Sequence, residues 1–176
     1  MKKIDRLGWA AGITFTAYGV PVGVRVSERS VLDRVRALLP PGWKPAAKPA
    51  VRRLYSIIAG GPTNRAGVRR FNLLYSDSER LLRTHDLEEA LRQFELDLHL
   101  YIGDRAPRRT FVHAGVVGWN GQAIVIPGRT CSGKSSLVTA LVKAGATYYS
   151  DEFAVVDGRG RVHAYPIPLA IRPGED

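Results

Sequence analysis

Residues Gly128-Arg129-Thr130-Cys131-Ser132-Gly133-Lys134-Ser135 match the pattern G-x-x-x-x-G-K-[ST], and few short patterns restrict a chain so tightly. A loop of this kind surrounds an anion with backbone N–H groups and with the unpaired amides of a helix N-terminus. It therefore needs a strand to launch it and a helix to receive it. The flanks predict both. Gln122-Ala123-Ile124-Val125-Ile126 reads as a short apolar strand, and Ser136-Leu137-Val138-Thr139-Ala140-Leu141-Val142 as a helix buried on most sides. A bare glycine turn between strand and helix is the plainer alternative, and these flanks count against it.

The loop's residue types assign the chemistry. Gly128 and Gly133 permit backbone conformations and approaches that a Cβ would hinder. Arg129, Thr130, Cys131, Ser132 and Ser136 complete the candidate binding segment, Lys134 supplies a point charge for β/γ-phosphates, and Ser135 offers a hydroxyl to Mg²⁺. Cys131 near a helix N-terminus and a lysine could have an activated thiol. The plainer reading, a small side chain that the loop tolerates, is preferred.

A nucleotide site also needs a carboxylate. Asp157 ends the apolar run Phe153-Ala154-Val155-Val156 but is followed by Gly158, and Asp-Gly between two strand-like runs predicts a hairpin turn. Asp151 and Glu152 follow the strand-like Ala146-Thr147-Tyr148-Tyr149 and have no such explanation. Adjacent acids at a strand break are costly to bury unless a metal or a proton is shared between them.

His113-Ala114-Gly115, the loop, and Ala144-Gly145-Ala146-Thr147-Tyr148-Tyr149-Ser150-Asp151-Glu152 together resemble the catalytic core of the HPr serine kinase/phosphorylase family, in particular the HPr-kinase-related kinases. The resemblance spans about residues 110 to 172. It implies an α/β, α+β-like protein with a mixed-sheet P-loop kinase core of the HPr kinase/phosphoenolpyruvate carboxykinase type. The activity it implies is ATP-dependent phosphorylation of a hydroxyl on a protein, peptide or small molecule. By the same match Asp151 is the base near the acceptor, Lys134 serves the phosphates, Ser135, Glu152 and Asp151 hold Mg²⁺, and His113 lines the site. The chain departs from the family at Glu152, where a second aspartate is common, and at Cys131, where Gly or Ala is common. The family's domain continues past the position of Asp176, so the sequence is expected to be a piece of such a domain or an abbreviated relative.

Composition sets outer bounds. The 176 residues suit one domain, or a small domain with part of another. No apolar run approaches the roughly 18 residues of a membrane span, and Met1 to Arg6 is basic without a signal-peptide core after it. The single cysteine excludes an internal disulfide and fits a reducing cytoplasm. The net charge of +10 is uneven: residues 1–112 hold 20 Lys/Arg and 11 Asp/Glu, residues 113–176 hold 6 and 5. The arginines form scattered pairs with no nucleic-acid motif, so they read as solvated surface and not as a nucleic-acid site. A homo-oligomer is left open.

Residues 1–109 are expected to form a small α+β region and 110–176 the nucleotide-binding core. Strands are predicted within Ile13 to Val26, with Val20, Val22, Val24 and Val26 alternating, and at Val51 to Ala59, Val68 to Tyr75 and Arg80 to Thr84. A helix is predicted over Ser30 to Leu39, capped by Ser30, and residues 40–50 read as a loop. A second helix is predicted over Asp86 to Ile102, with Asp86 and Glu89 as a capping box and Gly103 as its end. His99 lies beside its apolar stripe as a boundary residue. Two functions compete with the kinase: a regulatory module that binds a nucleotide without transfer, and a P-loop ATPase that drives a partner. A GTPase is disfavoured because no N/T-K-x-D motif is present.

Overall fold

A computed structural model describes residues 7–47, 50–61, 70–129 and 132–167. The chain divides into two compact units, residues 1–105 and 106–176, and its described residues form an α+β protein with two sheets and three helices.

In the first unit β1 (Ala11–Ala17) and β2 (Val20–Val26) form a hairpin. Its two turn residues, Tyr18 and Gly19, both have positive φ, 49° and 82°, as tight hairpin turns of this twist require. The predicted valine alternation holds, for Val20, Val22, Val24 and Val26 are all buried. Helix α1 (Arg29–Ala37) follows, with Glu28 as its N-cap residue and no side-chain cap, so Ser30 does not play that part. A two-residue strand, β3 (Lys44–Pro45), pairs with β1 inside the stretch read as a loop. The chain then runs into β4 (Arg53–Ile58), parallel to β2 because α1 carries it back across the sheet. Antiparallel β5 (Asn72–Ser76) and β6 (Glu79–Thr84) complete a mixed sheet in the order β3-β1-β2-β4-β5-β6. The start of the strand expected from Val68 lies outside the described residues.

Helix α2 (Leu87–Arg105) packs on β5 and β6, and its Phe94 meets Tyr55 of β4 edge-to-face at 5.2 Å. The carboxylate of Asp86 caps it by accepting from Glu88 N–H at 2.8 Å. Glu89 does not close the reciprocal half of a capping box; its carboxylate takes the Thr84 hydroxyl instead. The helix also runs through Gly103 to Arg105. A helical glycine costs only about 1 kcal/mol relative to alanine, and Pro107 is the firmer stop. His99 is no boundary residue: it is buried, and its Nε2 meets the Leu38 carbonyl at the end of α1 at 3.2 Å.

The second unit begins with the long β7 (Arg109–Trp119), which turns at Asn120-Gly121 into β8 (Gln122–Pro127). After the glycine loop come α3 (Lys134–Lys143), β9 (Thr147–Ser150), β10 (Phe153–Asp157) and β11 (Val162–His163). The expected mixed core sheet is not what forms: every pairing among these five strands is antiparallel. The reason lies in the order. Strands β8 and β9 do run the same way, joined by α3 as a crossover, but β7 lies between them and runs opposite to both.

One face of this sheet carries Val117, Ala146 and Tyr148 against Val138, Leu141 and Val142 of α3. The other carries Ala114, Val116 and Ala154 with Tyr149 and Val162. Helix α3 is less buried than its sequence suggested. Only Lys134 and Val138 are fully buried, and Leu137 is 48% exposed. Strand β8 is the sheet's outer edge, and Ile124 and Val125 on it are exposed.

Candidate phosphate-binding site

The glycine loop joins β8 to α3 as its sequence predicted. Gly133 is the N-cap residue of α3 with φ 82°, in the left-handed region that a side chain resists. At Gly128 a Cβ would meet the Ser132 hydroxyl, which would have to turn aside. Thr130 and Cys131 lie outside the described residues. The first α-helical bond of α3 runs from Leu137 N–H to the Gly133 carbonyl at 3.0 Å. The amides of Lys134 and Ser135 precede it, in the turn where a helix leaves donors for an anion. Helix α3 has no acidic residue in its first turn to compete for that position.

The acidic pair reaches the loop through an interrupted strand. Ser150 faces Val116 and Phe153 faces His113 in one register of the β7 ladder, so Asp151 falls opposite Gly115 and Glu152 opposite Ala114. Between β9 and β10 the regular pairing lapses. The buried Ser150 hydroxyl fills in by accepting the Glu152 and Phe153 amides at 3.1 and 3.0 Å. A register shift between Val116 and Val117 lies beside this break. Bulges of this kind re-aim side chains, and Asp151 and Tyr148 share the α3 face although they are three residues apart.

Asp151 Oδ2 accepts the Ser135 hydroxyl at 2.6 Å. Its other oxygen, Oδ1, is buried with no hydrogen-bond partner. Lys134 is 9% exposed and Asp151 6%. The Lys134 ammonium lies 2.9 Å from His113 Nε2, and His113 Nδ1 lies 3.0 Å from the Glu152 carbonyl. The Glu152 carboxylate is half exposed, 3.7 Å from Nδ1 and too far for a hydrogen bond. Burial, and after it the charge of Asp151, push the Tyr148 phenol up to about 12. It stays protonated at neutral pH and donates to the Ile167 carbonyl at 2.6 Å.

Lys134, Ser135, Asp151 and His113 are thus brought together, and Glu152 joins them through its carbonyl. Asp157 is elsewhere, at the end of β10, where it opens the hairpin turn to β11. It takes the Arg159 and Arg161 amides at 2.9 and 3.1 Å and His163 Nε2 at 2.9 Å. The His163 hydrogen bond, opposed in part by burial and aided by those amides and the Arg161 guanidinium, holds its carboxyl well below the usual range.

Two residues matter here that sequence reasoning gave no part. Gly115 lets the start of α3 lie on β7: a Cβ there would sit 2.5 Å from Val138 Cγ2 and 3.2 Å from Lys134 Cγ. Ser150 shapes the break that delivers Asp151. A small residue two places after His113 was the available signal for the first; nothing local marked the second.

Among the described residues no three His, Cys, Asp or Glu side chains converge as a metal site. The pair Ser135–Asp151 with a free carboxylate oxygen nevertheless suits Mg²⁺, which takes one or two protein oxygens and completes its shell with phosphates and water. Among the described residues no helix is long and apolar enough to cross a membrane. No family model, no curated protein and no solved structure matches the chain.

Proposed function

We propose that the second unit is a P-loop nucleotide-binding kinase domain of the kind the HPr-kinase resemblance implies, transferring the ATP γ-phosphoryl group to a hydroxyl of a protein, peptide or small molecule. The observation that carries this reading is the meeting of Asp151 with Ser135 beside Lys134, across 16 residues of chain and one strand break. A glycine turn with no ligand has no use for a buried carboxylate against its serine, nor for a buried lysine beside it. In this reading the amides at the head of α3 and Lys134 neutralise the phosphates. Ser135 and Asp151 would hold Mg²⁺, which supplies Lewis-acid charge neutralisation when bound. Asp151 is also the carboxylate placed to take the proton of an attacking hydroxyl. Glu152 has no contact with Ser135 among the described residues, which leaves it a lesser part in metal binding than the resemblance implied.

Nucleotide binding without transfer has one observation in its favour: Asp151 Oδ2 is engaged by Ser135, and Oδ1 is buried. A base must reach its proton, so the carboxylate has to turn when ligands arrive. Transfer of label from γ-labelled ATP to candidate acceptors separates the two. The kinase reading expects label on a hydroxyl acceptor. Saturable ATP binding with every acceptor unlabelled would leave the binding module.

A further inference from the structure

Resting on the phosphate-site reading, the geometry points to His113 as a positioning residue that holds the Lys134 ammonium through an unprotonated Nε2. With Lys134 as an ammonium, the two partners of the ring allow a single arrangement of its protons. The Glu152 carbonyl can only accept, so Nδ1, 3.0 Å away, must carry the proton and donate. An ammonium has three N–H groups and no lone pair, so Nε2, 2.9 Å from Lys134 Nζ, must be the acceptor. The imidazole is therefore neutral, in the Nδ1–H tautomer, and forms a relay from the β9–β10 break to the head of α3. A carbonyl that orients a ring whose far nitrogen grips a cation is the arrangement by which metal-binding histidines are fixed, with a lysine in place of the metal.

The relay answers a problem of position. A lysine is a flexible point charge on a four-carbon stem, and Lys134 is buried at the start of α3, the positive end of a helix dipole, which repels a cation. Without an acceptor it would leave the site or spread over many rotamers. His113 fixes the ammonium within the loop before any phosphate arrives. The backbone break that aims Asp151 also presents the Glu152 carbonyl to His113, so one irregularity in the strand orders both the acid and the lysine.

The test is ring-nitrogen NMR on the ¹⁵N-histidine-labelled protein at neutral pH without ligand. The chain has 4 histidines, and loss of one pattern in His113→Gln assigns His113. The expected pattern is a protonated Nδ1 and a bare Nε2, against the Nε2–H form that free imidazole side chains favour. In Lys134→Met the Nε2–H form should gain population. An Nε2–H tautomer in the wild type, or a pattern unmoved by Lys134→Met, overturns the proposal. Binding of Mg·ATP is then measured on the same variants. His113→Leu should weaken it about tenfold or more, the loss expected of a hydrogen bond to a charged group. His113→Gln, which keeps an acceptor oxygen near Nε2, should stay within about threefold of the wild type. Equal affinities for the Leu variant and the wild type overturn the positioning role. A wild type that binds no Mg·ATP sinks the phosphate-site reading, while the nitrogen spectra still decide the His113–Lys134 contact.

Discussion

Asp151 is costly where it stands. A buried carboxylate with one oxygen on a serine hydroxyl and the other unpartnered is kept in folded proteins where a ligand or a reaction uses it. Replacing it with asparagine keeps the shape and the Ser135 contact but removes the charge and the proton acceptor. Asp151→Asn should lower phosphoryl transfer by about 10²–10⁴, the usual worth of a general base, with affinity for metal-free ATP within a few-fold of wild type. Label transfer and equilibrium binding on the same variant check it, and undiminished transfer would remove Asp151 from the mechanism. Gly115 makes a second prediction at this scale. The Cβ of an alanine would press on Val138 and on the stem of Lys134. Such overpacking costs about 1–3 kcal/mol. Gly115→Ala should unfold at lower denaturant and bind ATP more weakly, because α3 must move off β7. Wild-type behaviour in both measurements would show that the close contact is relieved at no expense.

At the scale of elements, the pairing of α1 with α2 carries a pH dependence. Burial lowers His99 to about 4, partly offset by its hydrogen bond to the Leu38 carbonyl. In the unfolded chain a histidine titrates near 6.5. Between these values the unfolded state binds the extra proton, so the contribution of neutral His99 is complete above about pH 6.5 and is lost as pH falls toward 4. The difference corresponds to on the order of 3 kcal/mol. Denaturant unfolding at pH 7.5 and 4.5 should show the loss, and His99→Gln should flatten it. An equal loss in the variant would assign the pH dependence elsewhere.

Elements show most clearly what the sequence could and could not disclose. The valines of β2, the stripe of α2, the Asp157 turn and the strand and helix on either side of the glycine loop are written in neighbouring residues, and all of these formed. What escaped depends on partners far along the chain. Nothing near residue 122 says that β8 ends as an exposed edge, and nothing near 147 says that β7 separates β9 from it. The depth of His99 follows from where α1 ends, 61 residues earlier. The candidate site divides the same way. Lys134 and Ser135 were legible from the loop, whereas the meeting with Asp151 required the register of β9 and β10 on β7. The contact of Lys134 with His113 required that register too, together with a carbonyl at the break.

The whole molecule combines two sheets with different tasks. The first unit buries its helices against a mixed sheet and carries most of the net positive charge, with 18 Lys/Arg against 11 Asp/Glu; the second has 8 against 5 and holds every residue of the candidate site. A ligand that binds only the folded second unit should stabilise it by mass action, about 2.7 kcal/mol at a hundred times its Kd. For a chain of this size that is a Tm rise of roughly 5–10 °C. Lys134→Met should lose most of the rise at the same ATP concentration, and an undiminished rise would place the nucleotide elsewhere. Isothermal titration of the protein with Mg·ATP tests the central claim most directly, with Lys134→Met beside the wild type. One saturable site in the wild type, with little or no binding in the variant, is the expected result. No binding to the wild type, or equal binding to both, would contradict the account.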